Sequence, residues 1–219
     1  MRVPGVTNHL SRISIPNIPL NDNNDFNRLI ELIAAAQDDA IDRVMSCEPD
    51  YFVMGISAET FWNGLEASRQ LKEQIEERTG LQVAMGSEAC TRALEQFGAK
   101  KIAVITPYQP VGDENVVQFF AECGYEVVRI KGLCCESPVK IAHVQPAELI
   151  DEINTINGKD VDAIVQVGTN LSMARVAGLA EEWLGKPVIA INTAIYWHAL
   201  RQNGIQDKVQ GFGSLLTKY

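Results

Sequence analysis

Residues 162–173 read DAIVQVGTNLSM: an apolar run, then Gly-Thr-Asn, then a segment that turns helical. This is the outline of a strand that carries polar groups to a site at its carboxyl end. Where an enzyme commonly mounts an acid, base or nucleophile, this stretch holds Val167. A site built here has to work through hydroxyls, amides and backbone N–H groups.

Other short apolar runs share the pattern: YFVMGI (51–56), QVAMG (82–86), KIAVIT (101–106), EVVRI (126–130) and PVIAIN (187–192). Continuous rather than alternating apolarity suits strands covered on both faces, as in parallel sheets. Between them lie segments of helical period. In 24–46, Phe26, Leu29, Ile30, Ile33, Ala34, Ile41 and Val44 form one stripe opposite charged residues. Further helices are predicted over about 59–79, 88–97, 113–124, 146–156 and 171–184. Gly80, Gly98, Gly124 and Gly185 each follow a helical pattern and precede a strand, where a left-handed residue commonly ends a helix. Strands alternating with helices predict an α/β fold with parallel sheet.

A faint internal repeat lays 50–89 over 162–194. Asp50 then meets Asp162, Ser57 meets Thr169, Ser87 meets Asn192 and Ala89 meets Ala194. Two similar α/β lobes facing one cleft are the expectation, with a chance match of two ordinary βαβ units as the alternative.

The chain has 219 residues, 46% of them hydrophobic, and a formal net charge of −9. That charge argues against nucleic acid or an anionic membrane as partner, because both reward clustered Lys and Arg. No apolar run approaches the roughly 18–20 residues of a membrane span. The opening MRVPGVTNHLSRIS lacks the apolar stretch of a secretory signal. Five cysteines, an odd number without zinc-type spacing, fit free thiols in a reducing cytoplasm. The glycine patterns of dinucleotide and nucleoside triphosphate sites are absent, so neither of those ligands is expected.

Ligands of parallel α/β sheets sit beyond the carboxyl ends of the strands. Standing there are Gly55, Ser57, Glu59 and Thr60; Ser87 and Glu88; Thr106 and Tyr108; Gly168, Thr169 and Asn170; and Asn192, Thr193, Tyr196, Trp197 and His198. Small hydroxyls and amides at helix starts either cap those helices or, facing one another, clasp an anion. Tyr108 either donates its phenol to a substrate oxygen or packs as a turn aromatic between Pro107 and Pro110. Glu59 reads best as a first-turn acid selected by a helix dipole, His198 as a packed residue, and the Cys134–Cys135 pair as structural.

The stretches VMGISAETFWNG (53–64), KKIAVITPYQPVGDENVVQFF (100–120), DAIVQVGTNLSM (162–173) and GKPVIAINTAIYWHALR (185–201) together resemble the aspartate/glutamate racemase superfamily, within it the arylmalonate decarboxylase and maleate cis-trans isomerase branch. The resemblance implies two pseudo-symmetric, flavodoxin-like parallel-sheet lobes, here 1–86 plus 193–219 and 87–192, with the active cleft between them. It also implies a carboxylate held by hydroxyls and backbone amides without metal or organic cofactor. Ser57 and Tyr108 match the pocket's side-chain donors, and the backbone around Ile56, Val167 and Gly168 matches its amide donors. Ser87, Thr169, Asn170 and Asn192 are expected to line the cleft. The family's two cysteine positions fall on Gly55 and Val167, so both thiols are missing.

Family chains open with a strand and polar loop ahead of the segment that MRVPGVT resembles, and an incomplete first lobe is the expectation. The implied activity is that of a decarboxylase or isomerase acting on a small carboxylic acid through an enolate-type intermediate. The alternative is a carboxylate-binding protein that has shed its thiols. Exposed helix faces of this fold class often pair copies, so a homo-oligomer is also expected.

Overall fold

The protein is described from a computed structural model covering residues 1–219. An extended N-terminal segment leads into α1 (Asn23–Met45), followed by β1 (Phe52–Val53), α2 (Gly64–Thr79), β2 (Val83–Ala84) and α3 (Gly86–Phe97). The chain continues through β3 (Lys101–Thr106), α4 (Pro110–Glu122), β4 (Glu126–Gly132), α5 (Pro138–Ile141), α6 (Pro146–Ile156) and β5 (Ala163–Gln166). It closes with α7 (Ala174–Leu184), β6 (Val188–Ala190), α8 (Ile191–Gln202) and α9 (Leu215–Lys218).

All strand pairs are parallel: β1 with β2 in one sheet, and β4-β3-β5-β6 in the other. The fold is the mixed α/β class expected from the alternation of elements. In β3, Ile102 and Val104 face the main core, whereas Ala103 and Ile105 face a second cluster on the other side of the sheet. A strand buried on both faces has no polar positions to alternate, which is why the run reads as unbroken apolar sequence.

The four predicted helix stops, Gly80, Gly98, Gly124 and Gly185, all have positive φ. Element boundaries shifted where tertiary contacts intervened. The helix expected over 59–79 is split into a 3-10 turn (Glu59–Phe61) and α2, with Asn63 and Gly64 left-handed between them. There Glu122 Oε2 accepts from Leu65 N–H at 2.6 Å, occupying the space that a side chain at position 64 would need. The helix expected from 171 starts at Ala174, because Leu171 N–H turns back to Gly168 O at 3.1 Å. The strand expected over 187–192 ends at Ala190, where α8 begins without a loop.

The largest core cluster gathers Phe26 from α1, Phe61 from the 3-10 turn, Phe119 and Phe120 from α4, and Ile191 and Ile195 from α8. It also takes in Ala84 of β2, Ile102 and Val104 of β3 and Val165 of β5, and the Phe26 ring packs on Tyr108 in the loop after β3.

Candidate active site

Three strand-end loops meet at one oxygen atom. Ser57 Oγ lies 3.1 Å from Tyr108 Oη and accepts a hydrogen bond from Thr169 N–H at 3.0 Å. Both side chains are buried, Ser57 at 2% and Tyr108 at 4% exposure. The loops after β1, β3 and β5 are brought together although Ser57 and Thr169 stand 112 positions apart.

Tyr108 is held on every side. Its ring stacks obliquely on Phe26, with centroids 5.2 Å apart. Its N–H donates to Thr106 Oγ1 at 3.1 Å, and that hydroxyl in turn donates to Asp113. Cys134 N–H and Cys135 N–H bond the carbonyls of Tyr108 and Pro107 at 3.2 and 3.1 Å. The vicinal cysteines thus serve through their backbone. The ring thus packs against Phe26, and the hydroxyl meets Ser57 Oγ. Burial pushes the phenol well above its ordinary range, with Asp113 and Cys90 adding to the shift and the Ser57 bond opposing it. The phenol therefore remains a donor at neutral pH. Burial raises Asp113 to about 6, with the Thr106 hydrogen bond acting the other way.

The Thr169 N–H is aimed by its own peptide group. Gly168 has φ +106°, and its carbonyl accepts from Gln166 Nε2 at 2.7 Å and from Leu171 N–H at 3.1 Å. In a trans peptide the carbonyl and the next N–H point in opposite directions. Holding Gly168 O towards Gln166 therefore turns Thr169 N–H towards Ser57. A Cβ at position 168 would collide with the Pro107 ring, so sterics as well as φ require glycine. Gln166 was missed by sequence reading because it is a polar residue inside an apolar run. That interruption was the available signal.

The N–H groups of Ile56, Ser57 and Gly168 donate to nothing within the chain. Unpartnered backbone donors beside two hydroxyls suit a carboxylate or an enediolate oxygen.

The remaining candidates divide. Asn192 Nδ2 donates to Thr169 O at 2.8 Å and ties α8 to the cluster. Asn170 Nδ2 donates to Pro138 O at 2.8 Å and braces the loop against α5. Gly55 is exposed, with open space where a side chain would project. Two expectations need correction. Val167 N–H is engaged with Ile105 O at 2.9 Å, because the sheet ladder extends one residue beyond β5, so it is no pocket donor. Ser87 is fully buried and its hydroxyl meets Ser68 Oγ at 2.8 Å, so it joins α2 to α3 instead of lining the cleft.

His198 is buried and held neutral, chiefly by desolvation, among Glu88, Lys72 and Arg92. Glu59 does not act as a helix-dipole acid: its turn is three residues long, and its Oε2 is buried without a partner. Thr193 Oγ1 and Tyr196 Oη, one turn apart on α8, are also buried and unpartnered. Cys90, fully buried on α3, has its thiol pushed far up by burial and is no thiolate nucleophile.

Residues 23–216 match the sequence family described as arylmalonate decarboxylase. The maleate isomerase of Alcaligenes faecalis is 24% identical over 137 residues, which are 62% of this chain and 54% of that protein. The maleate isomerase of Pseudomonas putida is 27% identical over 161 residues, 70% of this chain and 64% of that protein. The arylmalonate decarboxylase of Bordetella bronchiseptica is 27% identical over 169 residues, 76% of this chain and 70% of that protein. The chain thus spans roughly half to two-thirds of the length of the maleate isomerases it matches.

Among solved structures, a Nocardia farcinica maleate cis-trans isomerase mutant with a covalently bound succinylcysteine intermediate superposes with a TM-score of 0.88 at 18% identity, covering 99% of this chain and 89% of that one. An arylmalonate decarboxylase superposes with a TM-score of 0.75 at 24% identity, covering 87% and 83%. These superpositions show a shared fold. With the sequence match running from α1 into α9, the chain belongs to the arylmalonate decarboxylase family.

Proposed function

We propose that this protein is a cofactor-independent enzyme that removes carbon dioxide from a small substituted malonic acid, holding an enediolate intermediate in the pocket of Ser57, Tyr108 and the amides of 168–169. The observation that carries this reading is the meeting of Ser57 Oγ, Tyr108 Oη and Thr169 N–H within 3.1 Å. When a malonate loses carbon dioxide, the electrons of the broken bond enter the remaining carboxylate, which gains charge on its oxygens. Buried donors fixed in advance favour that charged state over the ground state, often the largest catalytic effect of a site. The named activities of the relatives, maleate isomerisation and arylmalonate decarboxylation, both concern small dicarboxylic acids. Decarboxylation is the better fit, since a covalent cysteine adduct has no thiol to form on at Gly55 or Val167. The same reading makes a small carboxylate the partner and the cytoplasm the location, with 1–86 plus 193–219 and 87–192 as the two lobes.

The test is carbon dioxide release from a panel of substituted malonates by the purified chain. Turnover is expected, and Tyr108→Phe should slow it at least about tenfold by removing one donor. No turnover on malonates, maleate or amino acids overturns the proposal. A second reading, a carboxylate-binding protein without catalysis, is favoured by the absence of both family thiols. Thermal stabilisation by small dicarboxylates with no product formed would establish it.

A further inference from the structure

The turn after Ser57 carries a buried acid that the anion pocket leaves unused. Glu59 Oε2 is enclosed and has no hydrogen-bond partner, and Glu59 enters none of the ion pairs. Burial alone pushes its carboxyl up to about 7. The turn packs among α1, α2, α3 and α4, no charged group shifts its carboxyl, and several charges of those helices are engaged elsewhere. Asp25 accepts from Asn21 N–H, Arg69 meets Glu66, Lys72 and Arg92 hold Glu88, Asp113 is bound by Thr106, and Glu122 by Leu65 N–H. An enclosed carboxyl oxygen without a donor costs stability and calls for an explanation.

Glu59 stands in the turn that Ser57 opens. Two residues on from Ser57, its Cα lies within roughly 7 Å of the Ser57 Cα. The turn is wound tightly, with Thr60 N–H and Thr60 Oγ1 both bonding Ser57 O at 3.0 and 2.8 Å. A proton donor is also what the strand ends otherwise lack. Gly55 and Val167 bear no acid, the Tyr108 phenol and Cys90 thiol hold their protons far too tightly, and His198 sits with Glu88, Lys72 and Arg92.

We propose that Glu59 is the acid of this site, giving its proton to the substrate carbon after carbon dioxide has left. The inference rests on the decarboxylation reading. In the step, the bond between the α-carbon and one carboxylate breaks, carbon dioxide leaves, and the electron pair passes into the remaining carboxylate as an enediolate. That pair then forms the new C–H bond with the Glu59 proton. Glu59 is left as a carboxylate and regains a proton from water.

Two measurements on the full chain test it. The first is carbon dioxide release from phenylmalonate by the wild type, Glu59→Gln and Glu59→Asp. Glu59→Gln should lower kcat by about 100-fold with KM changed less than about threefold, and Glu59→Asp should recover part of the loss. The second is calorimetry of phenylacetate binding at pH 7 in buffers of different ionisation enthalpy. The wild type should take up about half a proton more than Glu59→Gln, as the bound anion drives Glu59 to its neutral form.

Wild-type turnover with Glu59→Gln equally fast overturns the role of Glu59 and leaves decarboxylation standing. Proton uptake that is undiminished in Glu59→Gln overturns it even if that variant is slow. A wild type inactive on every malonate overturns the decarboxylation reading and takes this proposal with it.

Discussion

Gly168, with φ +106° and the Pro107 ring against it, is the residue on which the orientation of the Thr169 amide depends. Alanine there would enter a backbone region that costs about 1–3 kcal/mol for a residue with a Cβ, before any clash is counted. Gly168→Ala is therefore expected to lose at least about 2 kcal/mol in urea denaturation. It should also lower any carbon dioxide release more than tenfold, because the amide is re-aimed. A variant with unchanged stability and rate would remove Gly168 from this account. The glycine itself was legible in VGTN, but its partner Gln166 was not. Gln166 acts through a hydrogen bond to the carbonyl two residues on, and no periodicity announces such a bond.

At the scale of elements, the same latch occurs twice. Glu76 on α2 accepts from Val83 N–H, and Glu181 on α7 accepts from Val188 N–H, each seven positions away at 3.3 Å. Both helices end at left-handed glycines, Gly80 and Gly185. The carboxylate at the end of the helix thus satisfies the first N–H of the following strand and sets the angle between them. Glu181 does more than Glu76, since its other oxygen accepts from Ser214 N–H at 2.6 Å and secures the segment before α9. Leaving two N–H groups unsatisfied costs more than leaving one, at about 1–3 kcal/mol for each such group. Glu181→Ala should thus lower Tm by about 3–8 °C and Glu76→Ala by roughly half as much, read by calorimetry. Equal effects would contradict the double role. Glycine stops and apolar runs are local signals and were readable. The break of the 59–79 helix was not, because Glu122, distant in sequence, enforces it.

Across the whole molecule, some of the positions that the repeat pairs touch one another, although Ser87 meets Ser68 and Asn192 meets Thr169. Ser57 accepts from Thr169, and Gly86 at the start of α3 leaves room for Ile191 at the start of α8. Glu59, in the turn that packs among α1, α2, α3 and α4, carries a consequence for global stability. Its carboxyl, raised from an ordinary 4.5 to about 7, binds a proton more tightly folded than unfolded. The stability linked to that proton is complete below about 4.5 and is lost as pH rises through about 7. Asp113, raised to about 6, acts in the same direction, while His198, lowered by burial, acts in the opposite one. The clean readout is thus the difference between Glu59→Gln and wild type. It should be near zero at pH 4 and grow to about 1–2 kcal/mol in favour of the variant by pH 8, after allowance for partial exposure. A difference that does not change with pH would mean that Glu59 is not desolvated.

What the sequence by itself determined is the alternation of strands and helices, the parallel α/β class and the set of polar residues delivered to the strand ends. Each of these follows from local periodicity, glycine stops and residue chemistry. Which of those polar groups meet was decided only by the tertiary structure. Ser57, Tyr108 and Thr169 converge, Val167 N–H is taken by Ile105 and the Ser87 hydroxyl by Ser68, and Glu59 is enclosed without a partner. The physical reason is that a hydrogen-bond partner or a desolvated carboxyl is set by neighbours far away in the chain. Local pattern can bring a side chain to the end of a strand but cannot state what it will face there.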